Sequence, residues 1–184
     1  MLYEYLAGLV FGDGCFYYDR HARMYYVYVY DGSKEFLERI AKLMERETGI
    51  RNIRLRRLRG RNSYELRIAG KKLFHELQEL IRHNKLKPSI DFIRGLVDAE
   101  GTLYIDKYNG VTTEIANTDR IVLENTRKEL FKHGIKSFVI IENRKPPRKK
   151  LYKIRIRGLD RVSYFLRTIN PLHPRFKRRR LPSP

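Results

Sequence analysis

The sequence LAGLVFGDG at residues 6–14 returns in altered form as IRGLVDAEG at residues 93–101, 87 positions further along the chain. Each stretch is a short apolar run of the kind that forms a helix, with glycine at its third position. Each ends in a carboxylate followed by glycine, and these carboxylates are Asp13 and Glu100. The chain therefore carries two copies of one acidic site, which suits a partner with a matching pseudo-twofold axis.

The duplication extends beyond these two motifs. YELRIAG at 64–70 matches YKIRIRG at 152–158, TGIR at 48–51 matches HGIK at 133–136, and NKLKP at 84–88 matches NPLHP at 170–174. The matched segments follow in the same order at nearly constant spacing. Two copies indicate a fused pseudo-dimer rather than a solenoid, which needs at least about three repeats.

Composition points to a polyanionic partner. The 184 residues carry a net charge of +19, and 42% of them are hydrophobic, which is enough for a packed core. Nucleic acid, and duplex DNA above all, is the first candidate, and an acidic membrane surface is the second. No apolar run approaches the roughly 20 residues that span a bilayer. The single Cys15 excludes an internal disulfide and a cysteine-based zinc cluster.

Each copy is predicted to contain the same series of elements. Strands are predicted at residues 15–19, 25–30, 51–58 and 63–69, and again at 102–107, 111–116, 137–143 and 151–157. Ser33 and either Thr118 or Asp119 are candidate N-caps of the helix between the strand pairs, and Gly49 and Gly134 mark its end. The order αββαββα, repeated twice, predicts an α+β fold with antiparallel sheets. We place the repeats at 1–87 and 88–174 and a basic tail at 175–184.

The predicted strands alternate between apolar and polar residues. Ile53 and Leu55 alternate with Arg54 and Arg56, and residues 151–157 show the same pattern. Helices should cover the apolar face, which leaves a second face rich in Arg, Lys and Tyr. A solvated surface is the ordinary explanation of such a face. The net charge and the number of arginines favour nucleic acid instead, because Arg binds guanine and phosphate through paired donors.

The glycines of the motifs explain how the two acids meet. Gly8 and Gly95 lack side chains, so two motif helices can pack backbone to backbone and bring Asp13 beside Glu100. Gly14 and Gly101 are expected to make a left-handed turn out of each helix. A carboxylate at a helix C-terminus faces the unfavourable end of the helix dipole, and a bound divalent cation would compensate for that. Ordinary solvated acids are the alternative, which the duplication disfavours.

With these motifs, this repeat length and this basic charge, the chain resembles the LAGLIDADG homing endonucleases of the single-chain, two-motif type. The resemblance extends over essentially the whole chain, although the motif departs from the family pattern at Phe11, Gly12 and Arg94. It implies a saddle of two antiparallel sheets over the DNA major groove, with the two motif helices packed at the repeat interface. It also implies site-specific cutting of both strands of a long asymmetric target, as in intron or intein homing.

The resemblance also assigns catalytic groups. Asp13 and Glu100 match the metal-binding acids of the family, and the backbone oxygens of Gly12 and Ala99 match its usual co-ligands. Mg²⁺ is the expected cation, with Mn²⁺ as a substitute and Ca²⁺ as an inhibitor. Such cations activate water and stabilise the leaving oxygen in phosphodiester hydrolysis.

Four further residues match positions where the family places polar or basic groups. Where the second strand of each repeat ends, family members carry Gln or Lys, and this chain has Asp31 and Asn117. Asn117 is predicted to hold a catalytic water, whereas Asp31 is unexpected because it adds negative charge beside a phosphate. Lys87 matches a basic residue that follows the last helix, and we weigh a catalytic role equally against a plain surface lysine. His173, the counterpart of Lys87, is predicted to be structural or phosphate-facing.

The DNA-contacting residues follow from strand alternation and from the resemblance together. A hydrogen bond from Arg to guanine is the commonest specific contact, and an Asp or Glu carboxylate can accept a hydrogen bond from the amino group of cytosine. The predicted contacts are Tyr17, Asp19, His21, Tyr28, Arg54, Arg56, Glu65, Arg67, Tyr104, Asp106, Tyr108, Glu114, Arg155 and Arg157. The tail from Arg175 to Arg180 is predicted to be a phosphate-binding or disordered arm.

Two alternatives stay open at this point. A binding-only relative on the same scaffold would be an intron RNA-splicing maturase or a DNA-binding regulator, and intron RNA is then a second partner. A basic ribosome-associated structural protein is the other alternative, and duplicated acidic helix ends have no purpose there.

The chain is expected to act as a monomer without a membrane partner. Its expected location is the cytoplasm of a prokaryote, and the scarcity of Gln suggests a thermophilic archaeon.

Overall fold

A computed structural model describes residues 2–105, 110–145 and 147–177. The first half contains α1 (Leu2–Asp13), β1 (Gly14–Asp19), β2 (Met24–Asp31), α2 (Lys34–Thr48), β3 (Ile53–Arg57), β4 (Tyr64–Ala69) and α3 (Lys71–Leu86). The second half contains α4 (Ile90–Glu100), β5 (Gly101–Ile105), β6 (Val111–Asn117), α5 (Arg120–Lys132), β7 (Phe138–Glu142), β8 (Leu151–Arg157), α6 (Leu159–Ile169) and α7 (Pro174–Lys177). The predicted αββαββα order is confirmed in both halves, and the short helix α7 was not predicted.

The two halves contain equivalent sheets. Their strand orders are β1-β2-β4-β3 and β5-β6-β8-β7, and all neighbouring strands are antiparallel. The predicted α+β class with two antiparallel sheets is therefore confirmed.

Alternation along the strands sends one face of each sheet into the core. Val27, Val29, Leu66 and Ile68 are fully buried in the first sheet, and Ile154 is fully buried in the second. Helix α2 adds Phe36, Leu37, Ile40 and Met44 to the same core. Burial of such side chains contributes roughly 1.5–3 kcal/mol each, so this shared core fixes which sheet face remains open.

Side-chain caps define where the connecting helices begin. Ser33 Oγ accepts from the Phe36 N–H at 3.2 Å, and Asp119 Oδ1 accepts from the Val122 N–H at 3.2 Å. Asp119 rather than Thr118 is thus the cap of α5, and Gly49 ends α2 in the left-handed conformation at φ 69°. None of the helices in the described ranges has the length and apolar character needed to cross a membrane.

Helices α1 and α4 form the most extensive contact between helices in the described chain. A Cβ placed on Gly8 would lie 2.0 Å from the Phe92 carbonyl oxygen, and one on Gly95 would lie 1.9 Å from the Tyr5 carbonyl oxygen. Only glycine fits at these two positions, because real Cβ atoms do not approach backbone so closely. The predicted backbone-to-backbone contact of the motif helices is confirmed.

The predicted left-handed turns at Gly14 and Gly101 are wrong. Gly101 has φ −77° and ψ 143°, an extended conformation, and Gly14 has no positive φ either. Each glycine begins a strand directly after its helix. Glycine is needed at both positions because there is no room for a side chain, not because the backbone has a left-handed conformation. A Cβ on Gly14 would lie 2.6 Å from the Tyr28 carbonyl oxygen, and one on Gly101 would lie 2.4 Å from the Val97 carbonyl oxygen.

Candidate active site and nucleic-acid interface

The two motif acids end the two central helices. Asp13 is the last residue of α1 and Glu100 is the last residue of α4. The helix ends touch, since a Cβ on Gly12 would lie 2.4 Å from Ala99 Cβ and 3.0 Å from Glu100 Cγ. The glycine contact between α1 and α4 therefore brings the acids of both repeats into one centre.

Burial and mutual repulsion raise the affinity of these acids for protons. Burial raises the pKa of Asp13, and the carboxylate of Asp31 raises it further, against the opposing charge of Arg175. Burial, followed by the Asp13 carboxylate, raises the pKa of Glu100 to about 7. Burial therefore disfavours the charged forms of both acids, and a bound cation would favour them again.

Asn117 orients Glu100. It is the last residue of β6, and its side-chain amide Nδ2 donates to Glu100 Oε1 at 3.2 Å. Asn117 Oδ1 in turn accepts from the Asp119 N–H at 2.9 Å, so the amide is fixed from both sides. Glu100 and Asn117 face an open cavity of about 540 Å³ that Gly12 and Asp119 also line. The Glu100 side of the centre is accessible to ligands.

The Asp13 side is occupied by a hydrogen-bonded network. Asp31, the last residue of β2, lies with Oδ1 3.2 Å from His173 Nε2 and accepts from the Ser33 N–H. Burial opposes ionisation of Asp31, but the hydrogen bonds from His173 and Ser33 and the charges of His173 and Arg175 lower its pKa. The unexpected negative charge at this position is thus matched by basic groups of the other repeat.

Arg175 is the group that the sequence did not reveal. Its guanidinium donates to the carbonyl oxygens of Gly101 at 3.1 Å, Ala99 at 3.2 Å and Asp98, and Nη2 lies 3.5 Å from Asp31 Oδ2. Arg175 was assigned to the basic tail, because five of the six residues 175–180 are basic. The sequence did contain one sign that this segment packs on the fold, because the apolar Phe176 interrupts the basic residues. In the structure its side chain is buried. Residues 174–177 thus form helix α7 against the centre, so Arg175 to Lys177 are not a disordered arm, and residues 178–180 of the predicted arm lie outside the described residues.

One face of the first sheet carries tyrosines and arginines, and we call it the repeat-one face. The strand register pairs Tyr17 with Tyr26 and Tyr28 with Arg67, and Arg67 pairs with Arg54 on its other side. The rings of Tyr17 and Tyr26 are nearly parallel with centroids 6.4 Å apart, and Arg67 Cζ lies 4.8 Å from the Tyr26 ring centre. The predicted contacts that share this face are Tyr17, Asp19, Tyr28, Arg54, Arg56, Glu65 and Arg67.

The corresponding repeat-two face has a different charge arrangement. It carries the predicted contacts Tyr104, Glu114, Arg155 and Arg157. Glu114 accepts from Arg155 Nε and from the Tyr104 hydroxyl at 3.4 Å, and Lys153 Nζ lies 3.9 Å from the same carboxylate. On the repeat-one face, the equivalent pair to Glu114 and Arg155 is Tyr28 and Arg67.

One predicted contact, His21, does not lie on a strand face. His21 was placed on an extended first strand, but β1 ends at Asp19 and His21 lies in the turn before β2. The reason is that Asp19 Oδ1 accepts from the His21 and Ala22 N–H groups at 3.0 Å, which closes the turn early. Asp106 and Tyr108 lie outside the described residues.

Comparison with known proteins decides the family. A family model described as a LAGLIDADG-like domain matches residues 1–82 and again residues 87–170. The chain belongs to the LAGLIDADG family. The homing endonuclease I-ApeI of Aeropyrum pernix is 29% identical to this LAGLIDADG protein, over 92% of this chain and 81% of the relative. The homing endonuclease I-DmoI of Desulfurococcus mucosus is 29% identical, over 92% of this chain and 90% of the relative.

Solved structures share the fold. A crystal structure of an I-DmoI variant in complex with its target DNA in the presence of Mg superposes with a TM-score of 0.70. It is 26% identical in sequence, and the match covers 94% of this chain and 97% of that one.

The LAGLIDADG centre fits a hard divalent cation. In the described ranges, three or more His, Cys, Asp or Glu side chains nowhere form a group that could hold a metal ion. A cation held by Asp13 and Glu100 would therefore need further oxygen ligands from water and DNA phosphate, and the carbonyl oxygens of Gly12 and Ala99 stay predicted ligands. That oxygen-only set with one or two carboxylates is the kind that Mg²⁺ uses in nucleic-acid enzymes.

Lys87 stays a prediction. It follows α3 directly as its C-cap, and its side chain is exposed. Within the described part of the chain, the basic groups that act on the acids are Arg175 and His173, both from the segment after α6. A neighbour, Lys85, reaches the wall of the Glu100 cavity by pairing with Asp119 at 3.2 Å.

The raised pKa of Glu100 makes stability depend on pH. Its pKa is about 7 in the folded chain against an ordinary 4.5, so the folded state binds more protons within that window. Stability of the metal-free protein should therefore fall as the pH rises from about 4.5 to about 7. The Glu100→Gln variant should lack this component and melt higher than the parent at the upper pH.

Melting curves in a chelator at both pH values measure the effect. Glu79→Gln is the matched control, since Glu79 is an exposed acid on α3. Identical pH profiles for the parent and Glu100→Gln would show that Glu100 ionises normally.

Proposed function

We propose that this protein is a site-specific endonuclease that cuts both strands of a long, asymmetric duplex DNA target with Mg²⁺. The main support for this proposal is the pair of partly buried carboxylates, Asp13 and Glu100, at the touching ends of α1 and α4. Carboxylates placed together with too little neutralising charge are suited to hold divalent cations against a phosphodiester. The names of the two homing endonuclease relatives support the same activity.

The two sheet faces supply the DNA-binding surface. A net charge of +19 gives strong long-range attraction to a polyanion. The open faces add Arg and Tyr side chains that are spaced along strands, as a β-surface in the major groove requires. Because the repeat-one and repeat-two faces differ in sequence and pairing, the two halves of the target should differ as well.

The residues around the acids position the reacting groups. A cation at the centre would activate a water molecule and stabilise the leaving 3′ oxygen. Asp13 and Glu100 lie at the touching helix ends, close enough for the Asp13 carboxylate to raise the pKa of Glu100. Asn117 fixes the Glu100 rotamer through its amide, and its place beside the open cavity suits it to hold a water. Asp31 and His173 keep the Asp13 side rigid.

The pairing of the arginines predicts unequal contributions to DNA affinity. Arg67 lies over the Tyr26 ring, whereas the charge of Arg155 is already neutralised by Glu114. We expect Arg67→Ala to cost about 1–3 kcal/mol of specific binding, and Arg155→Ala to cost clearly less, because Arg155 must first leave its carboxylate. Fluorescence anisotropy with target DNA, over a series of salt concentrations, measures both. Equal losses would contradict the proposed difference between the faces.

Incubation with DNA that spans the insertion point of the protein's own gene tests the proposed activity. Mg²⁺ and Mn²⁺ should each support double-strand cutting, whereas Ca²⁺ should support binding without cutting. Parallel reactions in a chelator serve as controls. Tight binding without nicking in the presence of every divalent cation would refute the nuclease proposal.

That refuting result would favour the second candidate, a binding-only relative such as a splicing maturase or a DNA-binding regulator. Both motif acids are present, which favours cutting, since a protein that only binds has no use for two facing carboxylates. Intron RNA should therefore compete with DNA only weakly.

We also propose that the protein acts as a monomer, because the single chain already contains both repeats. The cytoplasm of a prokaryote is its proposed location.

A further inference from the structure

The guanidinium of Arg175 covers the carbonyl end of α4. It donates to the Ala99 carbonyl at 3.2 Å and to the Gly101 carbonyl at 3.1 Å, and it also reaches the Asp98 carbonyl. The Ala99 oxygen is one of the two backbone oxygens that the family resemblance assigns to a cation in this centre. A positive group of the chain itself therefore occupies a position that a metal ion would use.

This position of Arg175 is built by both repeats. The Asp98 carboxylate accepts from the backbone N–H groups of Leu172 and His173 at 2.8 and 2.9 Å, and His173 Nδ1 accepts from the Arg175 N–H at 3.0 Å. His173 packs on Phe36 of the first repeat with ring centroids 4.5 Å apart. The segment is anchored on its outer side as well, because Phe176 is buried.

Arg175 lies between the two acids, but its charge counts for more at Asp13 than at Glu100, where the hydrogen bond from Asn117 is the larger favourable influence. Its Nη2 lies 3.5 Å from Asp31, and its charge is the largest favourable influence on the Asp13 carboxylate. Its Nε is buried without a hydrogen-bond partner, so the guanidinium is incompletely satisfied where it lies. An incompletely satisfied donor leaves its place at a lower cost than a fully bonded one.

The Glu100 side has no such occupant. The side chain that contacts the Glu100 carboxylate there is the neutral amide of Asn117, and the cavity of about 540 Å³ opens in front of it. The basic residues of that wall are paired with acids: Lys85 with Asp119 at 3.2 Å, and Arg144 with Glu142 at 3.2 Å. The two acids thus face different surroundings within one centre.

We propose that Arg175 makes the two cation positions unequal: a divalent cation binds first at Glu100, and the Asp13 position accepts one only after Arg175 releases the Ala99 carbonyl. The inference rests on the proposed cation chemistry of the motif acids. Once released, the guanidinium is free to contact a DNA phosphate, for which its paired donors are suited.

Titration of the DNA-free protein with Mn²⁺, followed by electron paramagnetic resonance of the free ion, tests the inference. The parent should bind one Mn²⁺ at least about tenfold more tightly than a second, because one unit charge close by weakens cation binding by that order. Glu100→Gln should remove the tight site, and Asp13→Asn should leave it. Arg175→Met should bring the second affinity to within about threefold of the first.

Two controls separate the possible outcomes. Lys177→Met removes an exposed charge from the same short helix and should leave both affinities unchanged. If Arg175→Met does not fold, as judged by circular dichroism, the comparison of Asp13→Asn with Glu100→Gln still decides. Equal affinities in the parent, or loss of the tight site in Asp13→Asn, overturn the role of Arg175. Mn²⁺ binding that neither acid variant alters overturns the proposed cation function itself.

Discussion

Asp13→Asn and Glu100→Gln should each abolish double-strand cutting while leaving DNA affinity nearly unchanged. Each change replaces a carboxylate with an amide of the same shape, so packing at the ends of α1 and α4 is kept. The negative charge that holds the cation is lost, and we expect the rate of cutting to fall by at least about 10³-fold. Cleavage of plasmid and gel-shift binding measured on the same preparations give the two quantities.

The DNA affinity of the two variants shows whether the acids act in chemistry or in structure. Removing one negative charge close to phosphate should tighten binding slightly rather than weaken it. Glu124→Gln on α5, an exposed acid in an i,i+4 pair with Arg120, is a suitable control for charge. A parallel loss of cutting and affinity in either motif variant would mean that the acids maintain structure instead of chemistry.

Gly95→Ala should destabilise the folded protein by about 3 kcal/mol or more. Overpacking usually costs about 1–3 kcal/mol, and here the added methyl group would meet a backbone oxygen, at 1.9 Å, which cannot rotate away. In an exposed helix the same change would stabilise by roughly 1 kcal/mol, so even the sign is informative. Gly8→Ala should behave similarly, since its Cβ would lie 2.0 Å from the Phe92 oxygen.

Urea unfolding followed by circular dichroism measures this loss. Gly32→Ala is the control, because its nearest neighbour, the Asn62 oxygen, would lie at an ordinary contact distance of 3.6 Å. We expect that variant to stay within about 0.5 kcal/mol of the parent. A Gly95→Ala protein as stable as the parent would show that α1 and α4 do not meet backbone to backbone in solution.

Local sequence signals were sufficient for most of the fold. The period-two pattern of Ile53 to Arg56 gave the correct open and buried faces because burial on one side enforces alternation. Ser33 was identified as an N-cap from its position alone, since a cap depends on contacts within one helical turn. The Gly8 and Gly95 contact was predictable because two equivalent glycines in two equivalent helices have few other uses.

The environment of the acids could not be read in the same way. Whether Gly101 turns left or continues into a strand depends on Val97 and Phe176, whose atoms would lie within 3.1 Å of a Cβ at this position. Asp31 looked unfavourable because its partners, His173 and Arg175, come from the far end of the chain. Long-range pairs of this kind leave no local pattern in the sequence, and the run of basic residues 175–180 gave no sign that Arg175 turns inward.

The backbone contact between α1 and α4 also limits how the protein can diversify. Since main chain rather than side chains meets at Gly8 and Gly95, substitutions elsewhere cannot widen or narrow the gap between the repeats. We therefore expect the distance between Asp13 and Glu100 to stay constant in related proteins, while the bases recognised on either side drift. A chimaera that joins one repeat to a foreign partner should combine two half-targets and keep the same spacing between the two cuts.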